Sequence, residues 1–339
     1  MPLISVIILN YNGKDLLGEC LDSLRAQTFR DFEVILVDNG SSDGSVDLVR
    51  STYPDVTVIE NGTNLGFGEG NNVGIRVATG EIVALLNNDT VVDMNWLAAF
   101  ADALKHADRS VGMWASKILF FDSPGIIDNT GHLIYPDGLN FGRGRGDRDE
   151  GQYDREEEAF FPSGCAAFFR RTMLDEIGLF DADFFAYGDD TELGLRARLA
   201  GWTCLFVPSA IVYHKYSATA GRYSPLKAYL VERNRIWVLV KYFPVRHIIM
   251  SPLYSVIRLL YHLIASLSKK GAAGQFTRSF SLFELVKVQV KADIHAVMGI
   301  GTMIRKRRQV RKITRTSVRE FSAWLRKYSI SAREIAYGE

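Results

Sequence analysis

Four short apolar runs, Ile4–Leu9, Glu33–Val37, Val56–Ile59 and Ile82–Leu86, are rich in β-branched and aliphatic residues and bounded by turn formers. Runs of that length, apolar at consecutive positions, are what strands buried on both faces require. Helical spacing follows the first and the fourth. Leu16, Leu17, Cys20, Leu21 and Leu24 recur at i, i+1, i+4, i+5 and i+8, and Trp96, Leu97, Phe100, Ala101 and Leu104 repeat the pattern. The alternation predicts an α/β fold with a mainly parallel central sheet and helices on both faces. Ligands of such sheets gather at the carboxyl ends of the strands, so the residues that end these runs are the first candidates for chemistry.

Those residues are polar. The first run ends in Asn10-Tyr11-Asn12-Gly13 and the second in Asp38-Asn39-Gly40-Ser41. Asp38 is placed to accept hydrogen bonds from a base or a ribose hydroxyl; alternatively, Asp38 and Ser41 start a turn and cap the next helix. Asn64-Leu65-Gly66-Phe67-Gly68-Glu69-Gly70-Asn71-Asn72 leads into a helix and would let backbone amides approach phosphate or ribose. It follows the third strand and lacks a third glycine, so it is not a dinucleotide fingerprint. The fourth run ends in Asn87-Asn88-Asp89-Thr90, where Asp89 suits Mg or Mn, hard cations commonly held by one or two carboxylates plus phosphate and water. Further on, Phe180–Arg196 crowds acidic residues beside aromatic ones at a helix start, which points to a cleft, or to Asp189 and Asp190 as helix caps.

In this order, Ser5-Val6-Ile7-Ile8-Leu9-Asn10-Tyr11-Asn12-Gly13, Val37-Asp38-Asn39-Gly40-Ser41, Asn64-Leu65-Gly66-Phe67 with Gly70-Asn71-Asn72, and Leu86-Asn87-Asn88-Asp89-Thr90 resemble the family 2 glycosyltransferases of GT-A fold. The resemblance is closest to the rhamnosyltransferase-like branch and runs from about residue 3 to 243. It implies inverting transfer of a sugar, with rhamnose favoured, from a nucleoside-diphosphate donor to a hydroxyl of a lipid-linked or polysaccharide acceptor. It further implies that Asn10, Asn12, Asp38, Asn64, Gly66, Asn71 and Asn88 bind the donor. Asn87-Asn88-Asp89 stands where many relatives carry Asp-x-Asp, leaving Asp89 as the metal carboxylate without the first acid of the motif. Asp189-Asp190-Thr191-Glu192 stands for Glu-Asp-x-Asp, which makes Asp190 the catalytic base. Gly164, Cys165 and Asp189 would line the sugar or acceptor pocket. His214, in Val212-Tyr213-His214, would complete the metal shell, and Arg233 would meet the leaving diphosphate. By their own pattern Cys165 reads as a small buried hydrophobe with no basic partner nearby, His214 as a packed residue and Arg233 as helix-surface charge.

Charge divides the chain. Residues 1–214 carry 16 Lys and Arg against 33 Asp and Glu, and residues 215–339 carry 24 against 6, giving nets of −17 and +18. An acidic body suits a divalent cation and a basic tail suits an anionic membrane surface. The acidic body argues against nucleic acid, although a nucleic-acid-binding protein is one alternative and a sugar nucleotidylyltransferase another. The latter would want a glycine-threonine-arginine loop after the first strand, which is absent. An inactive carbohydrate-binding relative is a third, disfavoured by the presence of Asp89 and Asp190.

The expected division is a catalytic domain over 1–243 and a basic helical region over 244–339. In the latter, Leu253, Val256, Ile257, Leu260, Ile264 and Leu267 share one helical face, opposite Ser255, Arg258, His262 and Ser266. The uncharged runs on either side of Arg258 are too short to cross about 30 Å of hydrocarbon, so the reading is an interfacial helix, or one packed on the body or used for self-association. Arg305-Lys306-Arg307-Arg308 adds an anionic-lipid contact. Residues 122–160, with Gly142-Arg143-Gly144-Arg145-Gly146 at their centre, read as a mobile loop or weak β-arm. Three cysteines without CxxC spacing and a start without a leader pattern fit a peripheral protein of the cytoplasmic membrane face.

Overall fold

The computed structural model describes residues 1–215, 224–268, 271 and 280–338. Strands β1 (Ile4–Asn10), β2 (Phe32–Asp38), β3 (Thr57–Glu60) and β4 (Ile82–Asn87) form within a residue of the limits read from the sequence. They pair in parallel in the spatial order β3-β2-β1-β4. The chain moves outward from β1 to β3 and then returns to lay β4 on the other side of β1. That reversal is the switch point at which such sheets open a crevice.

Beyond β4 the sheet continues through antiparallel β11 (Ala166–Arg170) to β6 (Val111–Phe120), β12 (Thr203–His214) and β10 (Glu157–Ala159). β12 runs parallel to β6, while β5 (Thr90–Val92) and β7 (Ser123–Asn129) attach antiparallel to β12 and β6, making ten strands. Helices α1 (Lys14–Arg25), α2 (Ser45–Thr52), α3 (Gly66–Val77), α4 (Trp96–His106), α5 (Arg171–Ile177) and α6 (Asp189–Leu199) accompany the strands. α1 buries Leu17, Cys20, Leu21 and Leu24, the face its spacing predicts. α4 closes over an aromatic cluster in which Phe100 stacks on Phe168 at 3.9 Å and meets Trp114 edge-on at 5.3 Å. Fully burying one such side chain stabilises by roughly 1.5–3 kcal/mol.

Residues 122–160 take the β-arm alternative and not the mobile loop. They contain β7 and β10, and Lys117, itself buried in β6, ties the stretch down by donating to Asp149 at 2.8 Å and Asp154 at 2.7 Å. Arg143 adds a second anchor, lying 5.0 Å from the ring centres of both Tyr153 and Phe206 and 2.7 Å from Glu157. Hydrophobic periodicity could not show this, because the anchors are charged groups reaching across from other elements.

The chain divides into two compact units, the first comprising Met1–Gly131, Gly142–Ala197 and Trp202–Thr219, the second the remainder. The second holds a two-stranded ribbon, β8 (His132–Ile134) with β9 (Asn140–Gly142), and helices α7 (Pro225–Tyr242), α8 (Val245–Leu267), α9 (Leu282–Ile313), α10 (Val318–Lys327) and α11 (Ala332–Tyr337). The division falls ahead of residue 243 because α7 packs along α9: Trp237 Nε1 donates to Ala296 O at 3.1 Å, and the absence of a side chain on Gly299 makes room for the indole. Ser281, Ser317 and Ser331 each form a capping box with the glutamate three residues on, which fixes where α9, α10 and α11 begin.

α8 presents the two faces that its spacing defines, with the apolar stripe outward. Ser255, Arg258 and His262, expected on the face away from the apolar stripe, point into the second unit, and Ile249, Leu253, Leu260, Ile264 and Leu267 stand exposed. Arg258 donates to Asp137 at 2.7 Å and to both Glu232 oxygens at 2.8 and 2.9 Å, while Arg235 reaches the same Glu232 at 2.9 Å. Burial alone would raise the Glu232 carboxyl, yet Arg258 and Arg235 hold it well below the usual carboxylate range.

Candidate active site

At the switch point the strand ends are tied together by amides. Asn88 Nδ2 donates to Asn10 Oδ1 at 2.8 Å, linking β4 to β1, and Asn10 Nδ2 donates to Asp38 at 3.0 Å, linking β1 to β2. Asp38 is buried and both its oxygens are engaged: the amides of Gly40 and Ser41 donate at 3.1 and 2.8 Å, and the Ser41 hydroxyl at 2.5 Å. Its visible work is to shape the turn after β2. Asn12, at a positive φ of 49°, holds the same turn by accepting from Ser42 N at 2.9 Å. Asn64 accepts from Gly66 N at 2.9 Å and from Asn39 at 3.3 Å, and Asn71 donates to Phe67 O at 2.9 Å.

The glycines of α3 have a packing role. A Cβ on Gly74 would lie 2.6 Å from Ile7, one on Gly70 2.5 Å from Leu9, and one on Gly66 2.2 Å from Phe185 O. They admit neighbouring protein, and the Gly66 and Phe67 amides are already given to Asn64 and Phe185.

Asp89 and His214 come together because β5 pairs with β12: His214 lies opposite Thr90, and Lys215 N donates to Asp89 O at 2.9 Å. His214 Nε2 stands 3.3 Å from Asp89 Oδ1, and its Nδ1 2.7 Å from Asp128 Oδ2, all three side chains being buried. Burial favours a neutral ring, but Cys165 and the two carboxylates hold the imidazole protonated well above its ordinary range. Asp128 was not singled out from the sequence, where it is one more acid in a polar stretch. The proximity of His214 also corrects the view that Cys165 has no basic neighbour; burial nonetheless pushes the thiol upward, so it is a poor nucleophile. Among the described residues no group of three or more His, Cys, Asp or Glu is arranged to hold a metal alone. A carboxylate and an imidazole whose far nitrogen is held by a second carboxylate nevertheless fit a hard cation whose remaining ligands are phosphate and water.

Asp190 is the second residue of α6, and its Oδ1 accepts from Thr191 N at 2.8 Å. A Cβ on Gly164 would lie 4.0 Å from Asp190 Cβ and 3.0 Å from Phe67. Gly164 and Cys165 are consecutive, so one abuts Asp190 and the other His214. Asp189 is buried, with an oxygen 3.1 Å from where a Gly68 Cβ would be. Glu192, which stands for the last acid of the family motif, is fully buried in a 2.9 Å ion pair with Arg196 and serves structure. Just before α6, Phe185 has φ 65° and ψ −62°, with Ala186 N donating to Phe184 O at 2.8 Å: a strained γ-turn followed by positive φ at Tyr187 and Gly188. No residue pattern announced it. Arg233 belongs to the second unit, its guanidinium 4.2 Å from the Trp237 ring centre.

The description "Glycosyl transferase family 2" matches residues 5–178, half of the chain. The chain belongs to glycosyl transferase family 2. Among relatives of this transferase is the N-acetylglucosaminyl-diphospho-decaprenol L-rhamnosyltransferase of Mycobacterium tuberculosis, 29% identical over 65% of this chain and 78% of that one. A solved mannosyltransferase of Pyrobaculum calidifontis, in complex with GDP-Man and Mn2+, is 20% identical with a TM-score of 0.52, covering 92% of this chain and 86% of that one. TarS 1-349 of S. aureus, in complex with UDP, gives a TM-score of 0.53 at 17% identity over 99% of this chain and 90% of that one. These likenesses establish the GT-A fold of the transferase, and family membership sets aside the nucleotidylyltransferase and nucleic-acid readings.

Proposed function

We propose that this glycosyltransferase moves a sugar from a nucleoside-diphosphate donor, bound over the ends of β1, β2 and β4, to a hydroxyl of a lipid-linked or polysaccharide acceptor, with inversion. The observation that carries the reading is the adjacency made by Gly164 and Cys165, which sets Asp190 on one side and the Asp89–His214 pair on the other. Asp190 takes the proton of the acceptor hydroxyl as that oxygen bonds to the anomeric carbon and the bond from that carbon to the diphosphate oxygen breaks. Asn10, Asn12, Asp38, Asn64, Gly66, Asn71 and Asn88 shape the donor crevice. A divalent cation, Mg or Mn, would be held by Asp89 and His214 and would neutralise charge on the departing diphosphate. The Mn2+ bound by the solved mannosyltransferase and the lipid-linked substrate for which the mycobacterial relative is named support this. Rhamnose is the sugar that relative's name favours.

The second unit is read as facing a membrane peripherally, on the cytoplasmic side. α8 is 23 residues long and apolar enough by composition to cross a membrane, although Arg258 interrupts its uncharged run. Its polar side is occupied by Asp137 and Glu232, so the exposed apolar side suits the interface. α9 adds Phe283, Val286, Val290, Val297 and Met298 exposed, and the exposed Arg305 and Arg308 supply charge for anionic headgroups, while Arg307 turns inward to Val240 O at 2.8 Å. The buried free cysteines fit a reducing compartment. The test is a thermal-shift panel of nucleoside-diphosphate sugars with and without Mn2+, since a ligand of the folded state raises the melting temperature. A panel in which none does so, with no sugar nucleotide consumed, would overturn the reading.

A further inference from the structure

Asp128 lies where β7 bulges. Asn129 and Ile127 pair with the successive residues Ile118 and Leu119 of β6, so Asp128 is the extra residue between them. Bulges re-aim side chains, and this carboxylate is aimed at the ring of His214 on β12. Its two oxygens have different partners: Oδ2 is 2.7 Å from His214 Nδ1, and Oδ1 is paired with the Arg145 guanidinium. Arg145 is brought there by the Gly142–Gly146 turn, whose backbone brackets Asp128: Gly146 N donates to Ile127 O at 2.9 Å and Thr130 N to Arg143 O at 3.1 Å.

We propose that Asp128 is a positioning residue that selects the ring nitrogen His214 offers to a cation, and that Arg145 selects which oxygen Asp128 presents to His214. The proposal rests on the cation reading above. A carboxylate can only accept, so it keeps the hydrogen on Nδ1, and Nε2, on the Asp89 side, is the nitrogen that gives up its proton and turns its lone pair to a cation. Arginine can only donate, so it must face an acceptor. Asparagine in place of Asp128 is therefore forced to turn its carbonyl to Arg145 and its amino group to His214. The amino group donates to Nδ1, the ring hydrogen moves to Nε2, and the lone pair is withdrawn from the cation. With Arg145 also removed, the amide is free to turn round and accept from Nδ1 again. This role predicts that the second substitution repairs the first; simple loss of packing predicts that it adds damage.

The experiment titrates Mn2+ alone into the full-length protein, following free Mn2+ by electron paramagnetic resonance, with thermal melts alongside. D128N is expected to weaken Mn2+ binding by about 10–100-fold, R145A by less, and the double variant D128N/R145A to bind several-fold more tightly than D128N. Parental affinity in D128N, or a double variant no tighter than D128N, overturns the relay while a loss in H214A keeps the cation reading. Equal binding by the parent and H214A overturns the cation reading and the relay with it. If D128N does not melt cooperatively, R145A decides: weaker Mn2+ binding at an unchanged melting temperature supports the relay, and unchanged binding overturns it.

Discussion

Asp190 and Phe185 show what a single position can and cannot announce. Asp190→Asn keeps size and removes basicity, so transfer should fall by about 10²–10⁴-fold while donor binding persists; kcat and equilibrium donor binding, measured separately, check this, and near-parental kcat sinks the base assignment. Gly74→Ala places a methyl 2.6 Å from Ile7 and 2.9 Å from Val37, and overpacking of that kind costs about 1–3 kcal/mol, read as a lowered melting temperature. Asp38, Asp89 and Asp190 were legible because each ends a strand or opens a helix in a recognisable string. Asp128 was not, since its placement depends on a bulge and on a strand far along the chain. The strained turn at Phe185 was equally silent: a bulky residue at positive φ leaves no compositional trace, and only the contacts around it hold it there.

Elements were legible where apolar periodicity set them. β1 to β4 and α1 formed as read, and all but β3, the partly exposed edge strand, bury the residues their patterns mark. α8 left a choice open, since amphipathic spacing fixes two faces without saying which one meets protein. Its buried Arg258 answers to Asp137 and Glu232, so Arg258→Met should destabilise by about 3–5 kcal/mol by leaving those carboxylates short of a partner; a melt within experimental error of the parent's would show that the network contributes little. His262, on the same side, is pushed down from 6.5 to about 4 by burial and by Arg258. Between those values the unfolded chain holds a proton that the folded chain lacks, so stability drops as pH falls from about 6.5 to 4. His262→Phe should flatten that part of the pH dependence by roughly 3 kcal/mol at most, and identical pH slopes for both proteins would remove the assignment.

For the whole molecule the division of charge, −17 before residue 215 and +18 after it, is the coarsest feature and was visible from the start. It implies that full-length protein sediments with anionic vesicles and is released by salt, as headgroup attraction is screened beyond a Debye length. Substituting Ile249, Leu253 and Leu260 together by Glu, on the exposed side of α8, should abolish that sedimentation without altering donor binding; co-sedimentation equal to the parent's would assign those faces to self-association instead. The polar inner face of α8 also bears on calorimetry. Exposing apolar surface raises heat capacity and exposing polar surface lowers it. The first unit, with Phe100, Trp114 and Phe168 at its centre, should unfold with a large heat-capacity increment and a steeply curved stability profile. Undocking α8 releases Arg258, Glu232 and Asp137 to water together with Tyr254, Ile257 and Ala265, so polar exposure offsets part of the apolar exposure and this step should carry the smaller increment.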